Sequence, residues 1–217
     1  MLIDENQKFV FVHVHKTAGL SLEQVLQRRF PTAKTHHSRH LHARLVIREV
    51  GRERWDACYR FAFVRNPWDR LVSWYSMILE AKKKLKFFQR FSRHPFPNEI
   101  WNYAVRNSRD FESFLTNCTA VINDHGCDKS FAYNQLDYLT DDDGKLAVNF
   151  VGRFENLAAD VDVVFRQLGI PEEKLPRINS SKHTHYSEWY NPRTRDLVAE
   201  RFARDIETFG YRFEAGK

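Results

Sequence analysis

Apolar positions along the chain change period several times, and each change marks an element. Residues 8–14 (KFVFVHV) are aromatic and β-branched with little polar interruption, which predicts a buried strand of a parallel sheet. From Gly19 the period becomes helical. Leu22, Val25, Leu26 and Phe30 share one face, and Pro31 ends the run. A helix over about 42–50 is stopped by Gly51, and residues 59–64 (YRFAFV) read as a second buried strand. Asn66-Pro67 then opens a helix, with Asn as N-cap and Pro at the first position. Its apolar stripe is Trp68, Leu71, Val72, Tyr75 and Leu79.

Residues 87–142 are aromatic-rich and irregular, read as an insertion of short helices (99–107 and 111–115) and loops that ends in a DDDG turn at 141–144. Residues 148–153 (VNFVGR) form the third predicted strand. A helix over 155–168, closed by Gly169 and Pro171, follows it. A loop then leads to one last amphipathic helix over 192–209, with Val198, Phe202, Ile206 and Phe209 on one side. Strands alternating with helices predict an α/β fold, three layers deep, with a central parallel sheet flanked by helices. The 217 residues suit a single domain spanning 1–217.

Composition narrows the classes. Hydrophobic residues make up 42% and aromatics 14%, which excludes a disordered chain. No apolar run approaches the ~18 residues of a transmembrane helix. A strand-like run begins too early to leave room for a signal peptide, so the expectation is a soluble, cytoplasmic protein. A chain trimmed of a membrane anchor reads the same way. The net charge of +6, with ten His, suits either a well-solvated surface or an anionic ligand such as a phosphate, a sulfate or an acidic sugar. No nucleic-acid recognition motif accompanies it. Cys58, Cys118 and Cys127 are too few and irregular for a zinc site; Cys58 reads as core, and the odd count favours reduced thiols.

Two segments carry chemistry. His15-Lys16-Thr17-Ala18-Gly19-Leu20-Ser21 joins a buried strand to a helix, a turn that aims backbone N–H groups and the positive helix end at an anion. Lys16 adds charge, and Thr17 and Ser21 add hydroxyls. Walker glycines are missing, because Val10 and His15 stand where they belong. The plain alternative is an ordinary loop with Lys at its rim. Arg65 to Ser73 (RNPWDRLVS) again follows a buried strand directly, so Arg65 leaves its carboxyl end, where open α/β sheets bind ligands. An Arg fork and the Ser73 hydroxyl two turns on suit one phosphate, against the alternative of a capped helix with a surface Arg. The fold class is therefore read as P-loop-like and nucleotide-binding.

HKTAGLS after the first strand and FAFVRNPWDRLVSWY after a later one resemble the two donor-binding motifs of sulfotransferases related to the Golgi-type carbohydrate sulfotransferases. FVGRFENL and ARDIETFGYRF are also similar to that family, so the likeness runs from about residue 9 to 213, with its middle third least typical. The resemblance implies sulfuryl transfer from 3′-phosphoadenosine 5′-phosphosulfate (PAPS) to an acceptor hydroxyl, leaving adenosine 3′,5′-bisphosphate (PAP). Lys16, Thr17, Ala18, Gly19, Leu20 and Ser21 would surround the 5′-phosphosulfate, with His15 bordering the loop and touching donor or acceptor, while Arg65 and Ser73 would hold the 3′-phosphate. It further implies a carbohydrate acceptor, a glycan or glycolipid, on the side of the 87–142 insertion near Tyr133 and Gln135, with a small metabolite left open and ordinary packing the plain alternative for those two residues; Lys182 belongs to a polar loop that would close over the nucleotide or is a plain surface loop.

A sulfuryl group carries less charge than a phosphoryl group, so a Lys and a helix end suffice and no metal is expected. Transfer to an alcohol is helped by a base, and the cluster His36, His37, His40 and His42 offers the right unperturbed pKa. By the resemblance a base precedes the second donor strand; His40 is the first candidate, then His42 and His37. A solvated basic loop and an incidental metal site are the plain alternatives. Two other classes stay open: a P-loop-like ATP-dependent kinase, and a non-catalytic binder of sulfated or phosphorylated ligands.

Overall fold

The computed structural model describes residues 1–4, 6, 8–87, 92, 94–123, 129–176 and 184–216. These residues form two compact units. The first comprises Met1–Arg65 and Gln135–Ser180, the second Asn66–Asn134 and Ser181–Lys217.

The first unit is α/β. Its described strands are β1 (Leu2–Asp4), β2 (Phe9–Val12), β3 (Ala33–Thr35), β4 (Tyr59–Val64) and β5 (Phe150–Arg153), in the sheet order β3-β1-β2-β4-β5. The three predicted strands are β2, β4 and β5, and they pair in parallel: Phe9 faces Tyr59, Val12 faces Ala62, and Val64 faces Arg153. β1 and β3 add an antiparallel edge that the sequence pattern did not reveal, so the sheet is mixed. Each has only 3 residues, too few for a period to show.

Helices α1 (Gly19–Arg29), α2 (Ala43–Val50), α3 (Arg52–Asp56), α7 (Leu136–Leu139) and α8 (Leu157–Leu168) belong to this unit. Phe9, Phe11, Phe61 and Phe63 pack with Leu22, Val25 and Leu26 of α1 and with Val161, Val164 and Phe165 of α8. At ~25 cal/mol per Å², burial of such aromatic and branched side chains is the main force holding helices to a sheet. Gly152 is needed in β5 because a Cβ there would lie 2.4 Å from the Phe63 ring.

The second unit is helical: α4 (Pro67–Lys83), α5 (Glu99–Asn107), α6 (Phe111–Cys118), α9 (Pro192–Arg201) and α10 (Ala203–Phe209). Asn66 caps α4 through its side chain, which accepts from the Trp68 N–H, with Pro67 following as the sequence implies. The single helix expected over 192–209 is broken at Phe202, whose φ of −112° leaves the helical region and starts a second short helix. Trp74, Tyr75, Phe111, Phe114, Phe131 and Phe202 form the core of this unit. Cys118 is a buried free thiol there, pushed up to about 12 by burial, and Cys58 is a buried free thiol of the first unit. Cys127 lies outside the described residues. Among the described residues no helix is long and apolar enough to cross a membrane.

Candidate functional site

The carboxyl ends of β2 and β4 lie side by side, and both motifs start there. After Val12 the chain runs through His13, Val14 and His15 into a tight loop. Lys16 and Ala18 adopt left-handed backbone angles, with φ of 70° and 64°. Neither is glycine, so the loop holds backbone strain that its surroundings must stabilise. The Thr17 hydroxyl donates to the Val14 carbonyl at 2.9 Å and ties the loop from inside. Ala18 is the N-cap of α1, and no side chain caps it. The first turn carries no acidic residue, and the Ser21 N–H returns to the Ala18 carbonyl at 3.1 Å. A helix start with neither a capping side chain nor a carboxylate suits an external anion.

Lys16 stands at this helix start. Burial, with the nearby Arg65 charge added, lowers its amine from 10.5 to about 8. Arg65 extends from the end of β4 and is buried, 6% exposed. Its Nη1 donates to the Lys16 carbonyl at 3.2 Å, and its guanidinium lies 4.0 Å from the Phe154 ring centroid. The first loop and the second motif are thus bonded to each other within the first unit.

His40 comes to the same place. Its ring stacks on His15 with centroids 3.3 Å apart, and its Nδ1 is 2.8 Å from the His13 carbonyl. Because a carbonyl only accepts, Nδ1 carries the proton and Nε2 is the basic nitrogen of the neutral ring. His42 is buried against Tyr138, with centroids 4.4 Å apart. His37 turns to Glu49 at 2.9 Å instead, as does His36 at 3.1 Å.

Beneath His40 lies a polar chain that sequence reasoning missed. The buried His13 pairs through Nδ1 with Glu23 of α1 at 2.7 Å, and the other Glu23 oxygen accepts from Arg39 Nε at 2.8 Å. Burial lowers the His13 pKa, against the pull of the Glu23 hydrogen bond and charge. Burial pushes the Glu23 carboxyl up, but hydrogen bonds and charge from His13 and Arg39 outweigh it, and it ends lowered. Gly19 makes room for this pair, since a Cβ there would lie 2.1 Å from the His13 ring. The one available signal was a carboxylate placed a turn after that glycine on the inner face of α1.

Gln135 is fully buried and bonds the Arg65 backbone twice, accepting from its N–H and donating to its carbonyl, each at 2.8 Å. In the second unit, Ser73 is buried on α4. Also in that unit, the Tyr133 carbonyl accepts from Arg70 Nη2 at 3.1 Å, and Arg70 faces the buried Asp205 at 3.7 Å. Lys182, like most of the polar loop around it, lies outside the described residues.

Comparison with known proteins adds the following. The sulfotransferase family model (Sulfotransfer_2) matches residues 1–212. The chain is also similar to an uncharacterized protein of Archaeoglobus fulgidus, 28% identical over 142 residues that cover 65% of this chain and 93% of that protein. No solved structure matches it.

Proposed function

The chain belongs to the sulfotransferase family, whose chemistry is sulfuryl transfer, and from that premise we propose that it uses PAPS to sulfate an acceptor hydroxyl on a glycan or glycolipid. Residues 1–217 act as one sulfotransferase domain in this reading. The observation that carries it is the Arg65–Lys16 bond at 3.2 Å, with His40 stacked on the residue before that lysine. Cation, helix start and base are then assembled within a few residues of two adjoining strand ends. That is where ligands of open α/β sheets bind.

The residues fit a phosphosulfate group: an α1 start without a side-chain cap, a half-desolvated amine, and a buried guanidinium. The donor supplies the activated sulfuryl group. Lys16 and the backbone N–H groups of Gly19 and Leu20 hold the 5′-phosphosulfate end and stabilise negative charge building on the bridging oxygen as the S–O bond breaks. His15, Thr17, Ala18 and Ser21 shape the same loop. Arg65 binds the 3′-phosphate, and Ser73 carries the same assignment from the family likeness. His40 Nε2 takes the acceptor's hydroxyl proton as its oxygen bonds to sulfur, and the imidazolium releases that proton to solvent after the PAP product leaves. His42 and His37 are weaker choices for this role, since each is turned to another partner. Gln135 supports Arg65 in this reading.

Titration calorimetry tests the donor. PAP alone should bind more tightly than ADP with Mg²⁺. The reverse order would point to a kinase. With labelled donor and a panel of acceptors, His40→Ala should reduce turnover by about 10²–10⁴-fold. Lys16→Ala should reduce it by about 10²–10³-fold. Unchanged turnover in either variant removes that residue from the mechanism.

A further inference from the structure

His36 and His37 follow β3 directly, and neighbouring residues of an extended chain point to opposite sides. Here they do not. His37 has a left-handed φ of 48°, which undoes the alternation and brings the two rings to 4.3 Å between centroids. Both rings then turn Nε2 toward one carboxylate, that of Glu49 on α2. His36 Nε2 is 3.1 Å from Oε2, and His37 Nε2 is 2.9 Å from the same oxygen and 3.0 Å from Oε1. The three ligand atoms all lie within 4.8 Å of one another.

We propose that His36, His37 and Glu49 form a binding site for a divalent transition-metal ion of the zinc type, separate from the sulfuryl-transfer chemistry. Tetrahedral zinc with bonds of roughly 2.0–2.2 Å sets its ligand atoms about 3.3 Å apart, a few tenths of an ångström beyond the present distance of each imidazole nitrogen from the carboxylate. Loading asks for a proton shift from Nε2 to Nδ1 in each imidazole that donates to the carboxylate. The donor set, two imidazoles and a carboxylate, suits zinc, cobalt or nickel and does not suit magnesium or calcium, which take oxygen ligands. The cluster faces solvent, with the His37 side chain 63% and the Glu49 side chain 47% exposed, so water completes the coordination. A bound ion would pin residues 36–37 to α2 at the start of the segment that carries Arg39 and His40.

The test uses the full chain stripped with chelator. Zn²⁺ titrated by calorimetry should saturate at one ion per chain, and Co²⁺ at the same site should give the intense visible absorption of low-coordinate cobalt. Glu49→Gln and His37→Ala should each weaken Zn²⁺ binding by at least about tenfold, since even residues that merely support a ligand are worth that much. Both positions are exposed, so the variants should fold, with circular dichroism as the check and His36→Gln as a further variant. His94→Ala removes another His–Glu contact, His94 Nδ1 to Glu99 at 3.1 Å, and should leave binding unchanged. Absence of saturable Zn²⁺ binding, Mg²⁺ binding as tight as Zn²⁺, or affinities within about twofold of wild type in the ligand variants would overturn the proposal.

Discussion

The Gln135 side-chain amide closes a two-bond ring with the backbone of Arg65, donating from Nε2 to the carbonyl and accepting at Oε1 from the N–H, both at 2.8 Å. Arg65 directly follows Val64, the last residue of β4, so its backbone groups have left the ladder and need partners from elsewhere. Gln135→Met keeps the volume and removes both bonds. Losing partners for two buried backbone groups should lower stability by about 2 kcal/mol or more. The Arg65 guanidinium should also lose its fixed bearing on Lys16, and PAP affinity should fall. Urea unfolding and calorimetry read the two effects. A midpoint equal to wild type would mean that the amide is dispensable.

Gly19 and His13 form a steric pair. Gly19→Ala sets a Cβ 2.1 Å from an imidazole that Glu23 holds in place, so the ring cannot simply swing away. We expect a loss of about 1–3 kcal/mol, the usual range for overpacking. In a chain of this size that lowers Tm by roughly 2–4 °C per kcal/mol. The His13→Ala, Gly19→Ala double variant should be less destabilised than the sum of the singles, because removing the ring removes the clash. Strict additivity would show that the contact is not the cause.

Much of the fold could be read from the sequence because its central elements are strongly patterned. Runs such as FVFV at 9–12 are buried from end to end, and Asn66-Pro67 is a local start signal that tertiary contacts only reinforce. The antiparallel edge was hidden because 3 residues display no period. The break at Phe202 was hidden because Val198, Phe202 and Ile206 keep helical spacing across it. At the site, Lys16 and Arg65 were legible from their positions after buried strands. The His13–Glu23–Arg39 chain was not, since it joins residues brought together only by folding. The bonds of Gln135 to the Arg65 backbone were not legible, because a glutamine in an irregular segment gives no sign of which backbone it will bond.

The buried His13–Glu23 pair contributes to the response to acid, beside the buried Met1 amine, which burial lowers from 8.0 to about 5. The folded His13 pKa lies below the ordinary imidazole value of 6.5, so the unfolded chain takes up a proton first as pH falls. That contribution is complete above pH 6.5 and declines beneath it. Glu23 also ends below its ordinary 4.5, so its stabilisation is present above that value and is lost as pH drops through the folded value. Both terms act in one direction. Urea midpoints should fall as pH drops below 6.5. Glu23→Gln should be less stable than wild type at neutral pH and lose less on further acidification. A midpoint that rises between pH 6.5 and 5 would contradict the assignment.

Lys16 gives the opposite dependence. Its amine is lowered to about 8 in the folded chain against an ordinary 10.5, so the positive charge opposes folding. The penalty is fully present below pH 8 and lifts as pH rises from 8 toward 10.5. Lys16→Met should therefore raise Tm at pH 7 while removing donor affinity, which separates function from stability at one residue. The bound bisphosphate favours the protonated amine and raises its pKa, so PAP binding near pH 8–9 should draw a proton from solution. Calorimetry in buffers of different ionisation enthalpy measures that uptake directly, and PAP affinity should decline as pH climbs above 8. Lys16→Arg, charged throughout this range, should abolish the uptake and flatten the affinity profile. If wild-type protein binds PAP with no proton uptake between pH 8 and 9, Lys16 does not face the phosphate and the anion lies elsewhere.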